Sequence, residues 1–150
     1  MKHSEGRPSP LAMIADNDEE ERCILKAILK LKGFKAVEAA DGQEAIDLAT
    51  NATPDLLLVD SRLPRVSGLA VIRQIKNQAR LRNLTVITVS LSPFAGQGSR
   101  VAGFSAHLQK PVDFDQLTSL IDRLLPEPRL QLAQVQAFKT LKLRHTVGRS

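Results

Sequence analysis

The chain has very few of the residues on which several classes of protein depend. Among its 150 residues there is one cysteine, Cys23, and there is neither tryptophan nor tyrosine. A single cysteine cannot form an internal disulfide, which agrees with a reducing compartment. Without tryptophan or tyrosine, the chain lacks most of the aromatic platforms on which single-stranded nucleic acids stack. The apolar fraction of 43% and the charged fraction of 25% are typical of a globular protein with a packed core.

Long apolar runs and targeting signals are absent as well. No stretch of the sequence approaches the roughly 20 apolar residues that a membrane-spanning helix requires. Residues 1–10 have no apolar centre of the kind found in secretory signals. They contain Gly6, Pro8 and Pro10 among polar side chains, which predicts a disordered leader. We therefore expect a cytoplasmic protein without a membrane span.

The positive charge is concentrated at the ends of the chain. The formal net charge is +5, yet residues 11–125 contain equal numbers of acidic and basic side chains. Residues 126–150 carry most of the excess, with Glu127 set against Arg129, Lys139, Lys142, Arg144 and Arg149. Nucleic-acid binding is therefore not expected of the central region. Only the basic tail, whose apolar spacing allows a helix, could contact nucleic acid, an anionic membrane surface or an acidic partner.

Short apolar runs alternate with helical patterns along residues 11–125. Strands are predicted at 11–15, 35–39, 56–60, 84–89 and 106–108, and helices at 19–31, 43–50, 66–78 and 113–125. Residues 92–103 contain one proline and three glycines, so they predict only a short or partly melted helix. This alternation predicts an α/β fold, a doubly wound five-stranded parallel sheet with helices on both faces.

The third strand ends in a single carboxylate. Its apolar run, Leu56 to Val59, leads into Asp60, and open α/β sheets bind their ligands at this carboxyl edge. The same edge is expected to collect polar side chains from other strand ends: Asp16, Asn17, Asp18, Ser90 and Lys110. Oxygen ligands suit Mg²⁺, a lysine suits phosphoryl oxygens, and a carboxylate can become an aspartyl phosphate. The edge therefore predicts a site for a divalent cation and a transferable phosphoryl group.

Together these residues resemble a bacterial response-regulator receiver domain, the phosphoacceptor of two-component signalling. The matching pieces are Asp16-Asn17, Arg22, Gly33-Phe34, Asp41-Gly42-Gln43-Glu44-Ala45, Pro54-Asp55, Asp60, Leu63-Pro64, Gly68, Ser90 and Lys110-Pro111. The resemblance covers residues 11–125 and implies a flavodoxin-like sheet with strand order 2-1-3-4-5. It implies a single-domain regulator that accepts a phosphoryl group on Asp60 from a sensor histidine kinase or a phosphotransfer protein. Such a protein is a signalling domain rather than a turnover enzyme, and it can form a homodimer.

The resemblance also implies a role for each residue of the site. Mg²⁺ would be held by Asp16, Asn17, Asp60 and the backbone carbonyl of Arg62. Ser90 and Lys110 would contact the phosphoryl group, and Pro111 would follow a cis peptide bond. His107 stands at the family's aromatic switch position, where it would change rotamer on activation. The Arg62 side chain lies two residues past Asp60, a position that tunes dephosphorylation in this family.

Asn17 is the main departure from the family, because a second acid usually stands there. A neutral residue should weaken Mg²⁺ binding, and Asn17 fits a helix cap as well as a metal ligand. This favours an alternative in which the chain is a pseudo-receiver, an interaction module that does not depend on phosphorylation. A third hypothesis is enzymatic, since Asp16-Asn17-Asp18 also resembles the nucleophile motif of haloacid-dehalogenase-type phosphatases. Asp16 would then be phosphorylated and Asp18 would be the acid and base.

Overall fold

The described residues form one parallel sheet with helices on both sides. The structure, a computed structural model, describes residues 9–92 and 103–125. The elements in chain order are β1 Leu11–Ala15, α1 Glu19–Leu31, β2 Lys35–Ala39, α2 Gly42–Ala52, β3 Leu56–Asp60, α3 Gly68–Lys76, a 3₁₀ turn Ala79–Leu81, β4 Thr85–Ser90, β5 Ala106–Gln109 and α4 Phe114–Leu124. The strand order is β2-β1-β3-β4-β5, and every neighbouring pair is parallel. The predicted fold class and strand order are confirmed.

Helices cover both faces of the sheet because successive strand residues point to opposite sides. On one face Met13, Leu57 and Val86 pack against α2 and α3. On the other face Ile14 and Leu58 pack against α1 and α4. The central strand β3 is buried along its whole length, as its continuous apolar run predicts. Polar side chains at the carboxyl ends of β1, β3 and β5 therefore meet at one edge of a well-packed scaffold.

The helix α3 is shorter than the predicted helix at residues 66–78. Ser67 caps it, because its hydroxyl oxygen accepts a hydrogen bond from the Ala70 N–H at 3.3 Å. The α-helix ends at Lys76, after which the chain forms the 3₁₀ turn. The partly buried Val66 packs on the same core as α3 and so continues its apolar spacing without being helical. Apolar spacing alone therefore extends the predicted helix beyond its true start.

An ion pair between a buried lysine and an exposed aspartate joins α1 to α4 on one face of the sheet. Lys32 follows the last turn of α1 and its side chain is only 3% exposed. Its Nζ lies 2.6 Å from Oδ1 of Asp122 in α4. Burying an ammonium without a partner would cost free energy, and the Asp122 carboxylate offsets that cost by pairing with it. It also ties the last helix to the first, 90 residues earlier in the chain.

Several predictions concern residues outside the described ranges. These are most of the leader at 1–10, the weak helix at 92–103 and the basic tail at 126–150. The domain limits of 11–125 also stay a prediction. Among the described residues, no helix combines the length and apolar character that crossing a membrane requires.

Candidate functional site

Two carboxylates and one ammonium meet at the carboxyl edge of the sheet. Asp16 follows β1 and Asp60 ends β3, the neighbouring strand. Lys110, which follows β5, reaches between them: its Nζ is 2.9 Å from Oδ2 of Asp16 and 2.8 Å from Oδ2 of Asp60. The exposed fraction is 1% for Asp16 and 8% for Asp60. The structure thus brings together three residues that the sequence predicts at strand ends far apart in the chain.

The second oxygen of each carboxylate is held by a backbone N–H two residues further along. Oδ1 of Asp16 accepts from the Asp18 N–H at 2.9 Å, and Oδ1 of Asp60 accepts from the Arg62 N–H at 2.8 Å. Such local turns are a common conformation for aspartate. They fix both side chains so that their Oδ2 atoms converge on the Lys110 ammonium. The Arg62 side chain itself is exposed.

The pKa of Lys110 lies above its ordinary value of 10.5. Burial lowers it, but the hydrogen bonds to Asp60 and Asp16, together with the negative charges of those groups, raise it by more. The ammonium therefore stays charged throughout the neutral pH range. Lys110 also donates its backbone N–H to the Ser90 carbonyl at 2.7 Å, and its peptide bond to Pro111 is cis.

The turn between β1 and α1 distinguishes the roles of two neighbouring residues. Asp18 caps α1, because its Oδ1 accepts from the backbone N–H groups of Glu20 at 2.9 Å and Glu21 at 3.3 Å. The interpretation of Asn17 as the helix cap is therefore wrong. Asn17 is exposed and makes no side-chain hydrogen bond within the part of the chain that the structure describes. Its side chain is left available at the rim of the site.

Glu21, in the acidic first turn of α1, lies close enough to the site to feel its charges. It is half-buried, and burial raises its pKa above the ordinary 4.5. The charge of Lys110 lowers that pKa, while Asp16, Asp18 and Asp60 raise it. Glu21 is therefore in electrostatic range of all four charged groups. Three consecutive glutamates at the start of α1 gave no sign of which one would be half-buried beside the site.

The predicted switch residues lie on neighbouring strands but make different contacts. The Ser90 hydroxyl is buried and accepts from the Ser92 N–H at 3.0 Å. Nδ1 of His107 lies 2.8 Å from Oγ1 of Thr88, its partner in the β4–β5 register. Nε2 of His107 is buried without a hydrogen-bond partner among the described residues. Sequence reasoning missed Thr88, because only the register of the two strands places it beside His107.

The donor set of the site fits Mg²⁺. Within residues 9–92 and 103–125, no group of three or more His, Cys, Asp and Glu side chains could hold a metal ion. An ion here would therefore rest on Asp16 and Asp60, with backbone and solvent oxygens completing its shell. Mg²⁺ is commonly bound in this way, through one or two carboxylates, waters and a phosphate oxygen. The convergence of two fixed Oδ2 atoms on one cation supports this fit.

The doubly wound parallel sheet places buried carboxylates and a lysine at its carboxyl edge, where open α/β sheets bind their ligands. The sequence profile of the response regulator receiver domain matches residues 12–122. The chain therefore belongs to the response regulator receiver domain family, which acts in two-component signal transduction. The resemblance noted in the sequence is confirmed.

Related proteins agree with this assignment. The polar-differentiation response regulator DivK of Brucella anthropi is 31% identical over 115 residues, which cover 75% of this chain and 94% of DivK. The receiver domain of sensor histidine kinase PA1611 from Pseudomonas aeruginosa PAO1 was solved with a magnesium ion in its active site cleft. It superimposes on this chain with a TM-score of 0.71 at 24% sequence identity, and the match covers 80% of this chain and 100% of that domain. The receiver domain of a signal transduction histidine kinase from Syntrophus aciditrophicus superimposes with a TM-score of 0.71 at 28% identity. The match covers 79% of this chain and 91% of that domain.

Proposed function

We propose that this receiver domain accepts a phosphoryl group on Asp60 from a sensor histidine kinase or a phosphotransfer protein. The observation that carries this proposal is the Lys110 ammonium, which bridges two buried carboxylates at the carboxyl edge of the sheet. A phosphoryl group that approaches a carboxylate meets electrostatic repulsion. Lys110 offsets part of that repulsion as a point positive charge.

The geometry favours Oδ2 of Asp60 as the attacking atom. Oδ1 is held by the Arg62 N–H, whereas Oδ2 is held by a flexible lysine that can move to a phosphoryl oxygen. Oδ2 attacks the phosphorus of the donor's phosphohistidine, so that an O–P bond forms as the P–N bond breaks. The donor imidazole keeps the P–N electron pair and takes up a proton. The product is an aspartyl phosphate whose new oxygens Lys110 can contact.

Mg²⁺ would supply positive charge to the phosphoryl oxygens during transfer. The residues that would hold it are Asp16, Asp60 and the Arg62 carbonyl, with the exposed Asn17 as an added neutral ligand. The magnesium ion in the receiver domain of PA1611 supports this proposal. The Ser90 hydroxyl, which accepts from the Ser92 N–H, would then donate its own hydrogen to a phosphoryl oxygen. His107 would change rotamer at the Thr88 contact.

The proposal is tested by intact-protein mass spectrometry after incubation with Mg²⁺ and acetyl phosphate. We expect the wild-type chain to gain one phosphoryl group and the Asp60→Asn variant to gain none. Asp16→Asn should be labelled more slowly, since Asp16 binds the ion but is not the acceptor. The matched control is Asp47→Asn, which removes a carboxylate from the exposed surface of α2 and should leave labelling unchanged.

Two other results would contradict the proposal. A wild-type chain that gains no phosphoryl group at any Mg²⁺ concentration would instead support the pseudo-receiver, which Asn17 favours. A phosphoryl group that persists in Asp60→Asn and vanishes in Asp16→Asn would support the phosphatase-like alternative. The structure disfavours that alternative, because the Asp18 carboxylate accepts two N–H groups of α1 and is committed to capping.

Asn17→Asp is expected to raise the Mg²⁺ affinity of the chain about fivefold. The new carboxylate would add a negative charge at the rim of the site, where solvent screens part of its effect. Isothermal titration with Mg²⁺ measures the change. Asn51→Asp adds the same charge to an exposed position near the end of α2 and should leave the affinity within twofold of wild type. An unchanged affinity in Asn17→Asp would show that residue 17 lies outside the metal shell.

A further inference from the structure

Both backbone polar groups of Asp16 are hydrogen-bonded, although this residue lies one position past the end of β1. The β1 ladder ends at Ala15, which pairs with Ala39 of β2 and Val59 of β3. Beyond that point the Asp16 N–H still donates to the Ala39 carbonyl at 3.0 Å. The Asp16 carbonyl lies beyond the strand pairing seen in the described residues, and the guanidinium of Arg22 satisfies it: Nη1 donates to that oxygen at 2.6 Å.

The same guanidinium is oriented by a carboxylate on β2. Nε of Arg22 donates to Oε1 of Glu38 at 3.0 Å, and Nζ of Lys26 lies 2.6 Å from Oε2. Lys26 and Arg22 hold the pKa of Glu38 below its ordinary value of 4.5, so the acceptor stays ionised at neutral pH. The Arg22 side chain is only 14% exposed. One planar group therefore joins the end of β1 to β2, which a lysine with a single nitrogen could not do in the same geometry.

We infer that Arg22 is a positioning residue that fixes Asp16 and thereby sets the Mg²⁺ affinity of the site. Both the N–H and the carbonyl of Asp16 are held, so its side chain leaves the backbone in one direction. That direction lets Oδ1 accept from the Asp18 N–H while Oδ2 faces the Lys110 ammonium. Residues that orient a metal ligand without touching the metal commonly change affinity by about 10- to 100-fold when altered. This inference rests on the proposed magnesium site.

Arg22→Lys is the decisive variant, because it keeps the positive charge and removes the second donor. The matched control is Lys26→Gln, which breaks the outer contact to Glu38 and leaves both Arg22 hydrogen bonds in place. Two quantities are measured on the folded chain: the Mg²⁺ dissociation constant by isothermal titration, and the hydrogen-exchange rate of the Asp18 amide by NMR in metal-free buffer. The Asp18 amide reports directly on Asp16, since its N–H donates to that carboxylate.

We expect Arg22→Lys to raise the dissociation constant about tenfold. The Asp18 amide should exchange about tenfold faster, while amides in α4 keep their wild-type rates. Lys26→Gln should stay within twofold of wild type in both measurements. A residue with a merely structural role would lower stability and speed exchange evenly, and it would leave the affinity of the folded molecules unchanged.

Three results would overturn the inference. The first is an Arg22→Lys variant whose affinity and Asp18 exchange both match wild type. The second is faster Asp18 exchange with an unchanged Mg²⁺ affinity, which would separate the orientation of Asp16 from metal binding. The third is a loss of affinity that Lys26→Gln reproduces in full. If the wild-type chain binds no Mg²⁺, the proposed metal site fails, and the metal-free exchange rate alone then decides whether Arg22 positions Asp16.

Discussion

Gly68→Ala is expected to destabilise the folded chain by about 3 kcal/mol. A Cβ atom at this position would lie 2.4 Å from the Asp60 carbonyl oxygen and 2.8 Å from the Ser61 Cα. Both atoms belong to the backbone, so no side-chain rotation can relieve the contact. The first turn of α3 and the end of β3 would have to separate, and Asp60 would move with its strand.

The direction of the stability change in Gly68→Ala shows whether close packing or helix propensity dominates at this position. Gly68 is the first residue of α3, where alanine would by itself favour the helix by about 1 kcal/mol. Urea unfolding followed by circular dichroism is the measurement, because the chain has no tryptophan to report by fluorescence. For comparison, the Cβ of Gly103→Ala would meet no atom of the described residues nearer than the Lys76 Cγ at 3.9 Å. Its φ of +88° is unfavourable for alanine, so the substitution should cost only about 1 kcal/mol. A Gly68→Ala variant as stable as wild type would mean that α3 can shift without cost.

Lys110→Met is expected to destabilise the chain by about 3 kcal/mol at neutral pH. The substitution leaves the carboxylates of Asp16 and Asp60 buried beside each other without the cation that bridges them. Removing one member of a buried ion pair costs roughly 3–5 kcal/mol of folding stability. We expect the loss in Lys110→Met to lie at the lower end of this range, because the Lys110 side chain is 13% exposed. Lys30→Met, on the exposed side of α1, should change stability by less than about 0.5 kcal/mol.

The pH dependence of the deficit follows from the raised pKa of Lys110 in the folded wild-type chain. The ammonium contributes fully to stability below its ordinary pKa of 10.5, and this contribution is lost as the pH rises through the higher folded-state pKa. Methionine carries no charge, so the deficit of Lys110→Met relative to wild type should shrink at alkaline pH. Urea unfolding of both chains between neutral and alkaline pH measures the difference.

A double variant checks that carboxylate repulsion causes the loss. Adding Asp16→Asn to Lys110→Met leaves one carboxylate in the site, so part of the lost stability should return at neutral pH. If the double variant is no more stable than Lys110→Met, the loss reflects packing of the lysine stem rather than charge. A deficit that stays constant with pH would lead to the same conclusion.

The strands and the residues at their ends could be predicted because each depends on local pattern. The apolar run before Asp60 has the composition of a strand buried on both faces, and β3 is such a strand. Parallel strands share a carboxyl edge, so the polar residues that follow β1, β3 and β5 had to lie near one another. Helix ends were less predictable, since Val66 continues the apolar spacing of α3 without being helical.

Contacts between elements could not be predicted because no local pattern encodes them. Asn17 and Asp18 are both residue types that cap helices, and only the structure shows that Asp18 takes this role while its N–H donates to the Asp16 carboxylate. The pairing of Thr88 with His107 depends on the register between β4 and β5. Ile24 continues the apolar spacing of α1, yet it is 51% exposed.

The α/β class and the edge at which Asp16, Asp60 and Lys110 meet follow from the sequence, because apolar periodicity and the common direction of parallel strands are sufficient for both. The receiver family was recognised instead by the resemblance of the motif residues at the strand ends. The tertiary structure alone decided how those groups are held: Lys110 bridges the carboxylates, Arg22 supports the Asp16 backbone, and Gly68 allows α3 to approach β3. Such contacts depend on distances of a few ångströms between residues remote in the chain, and those distances exist only after the elements have packed.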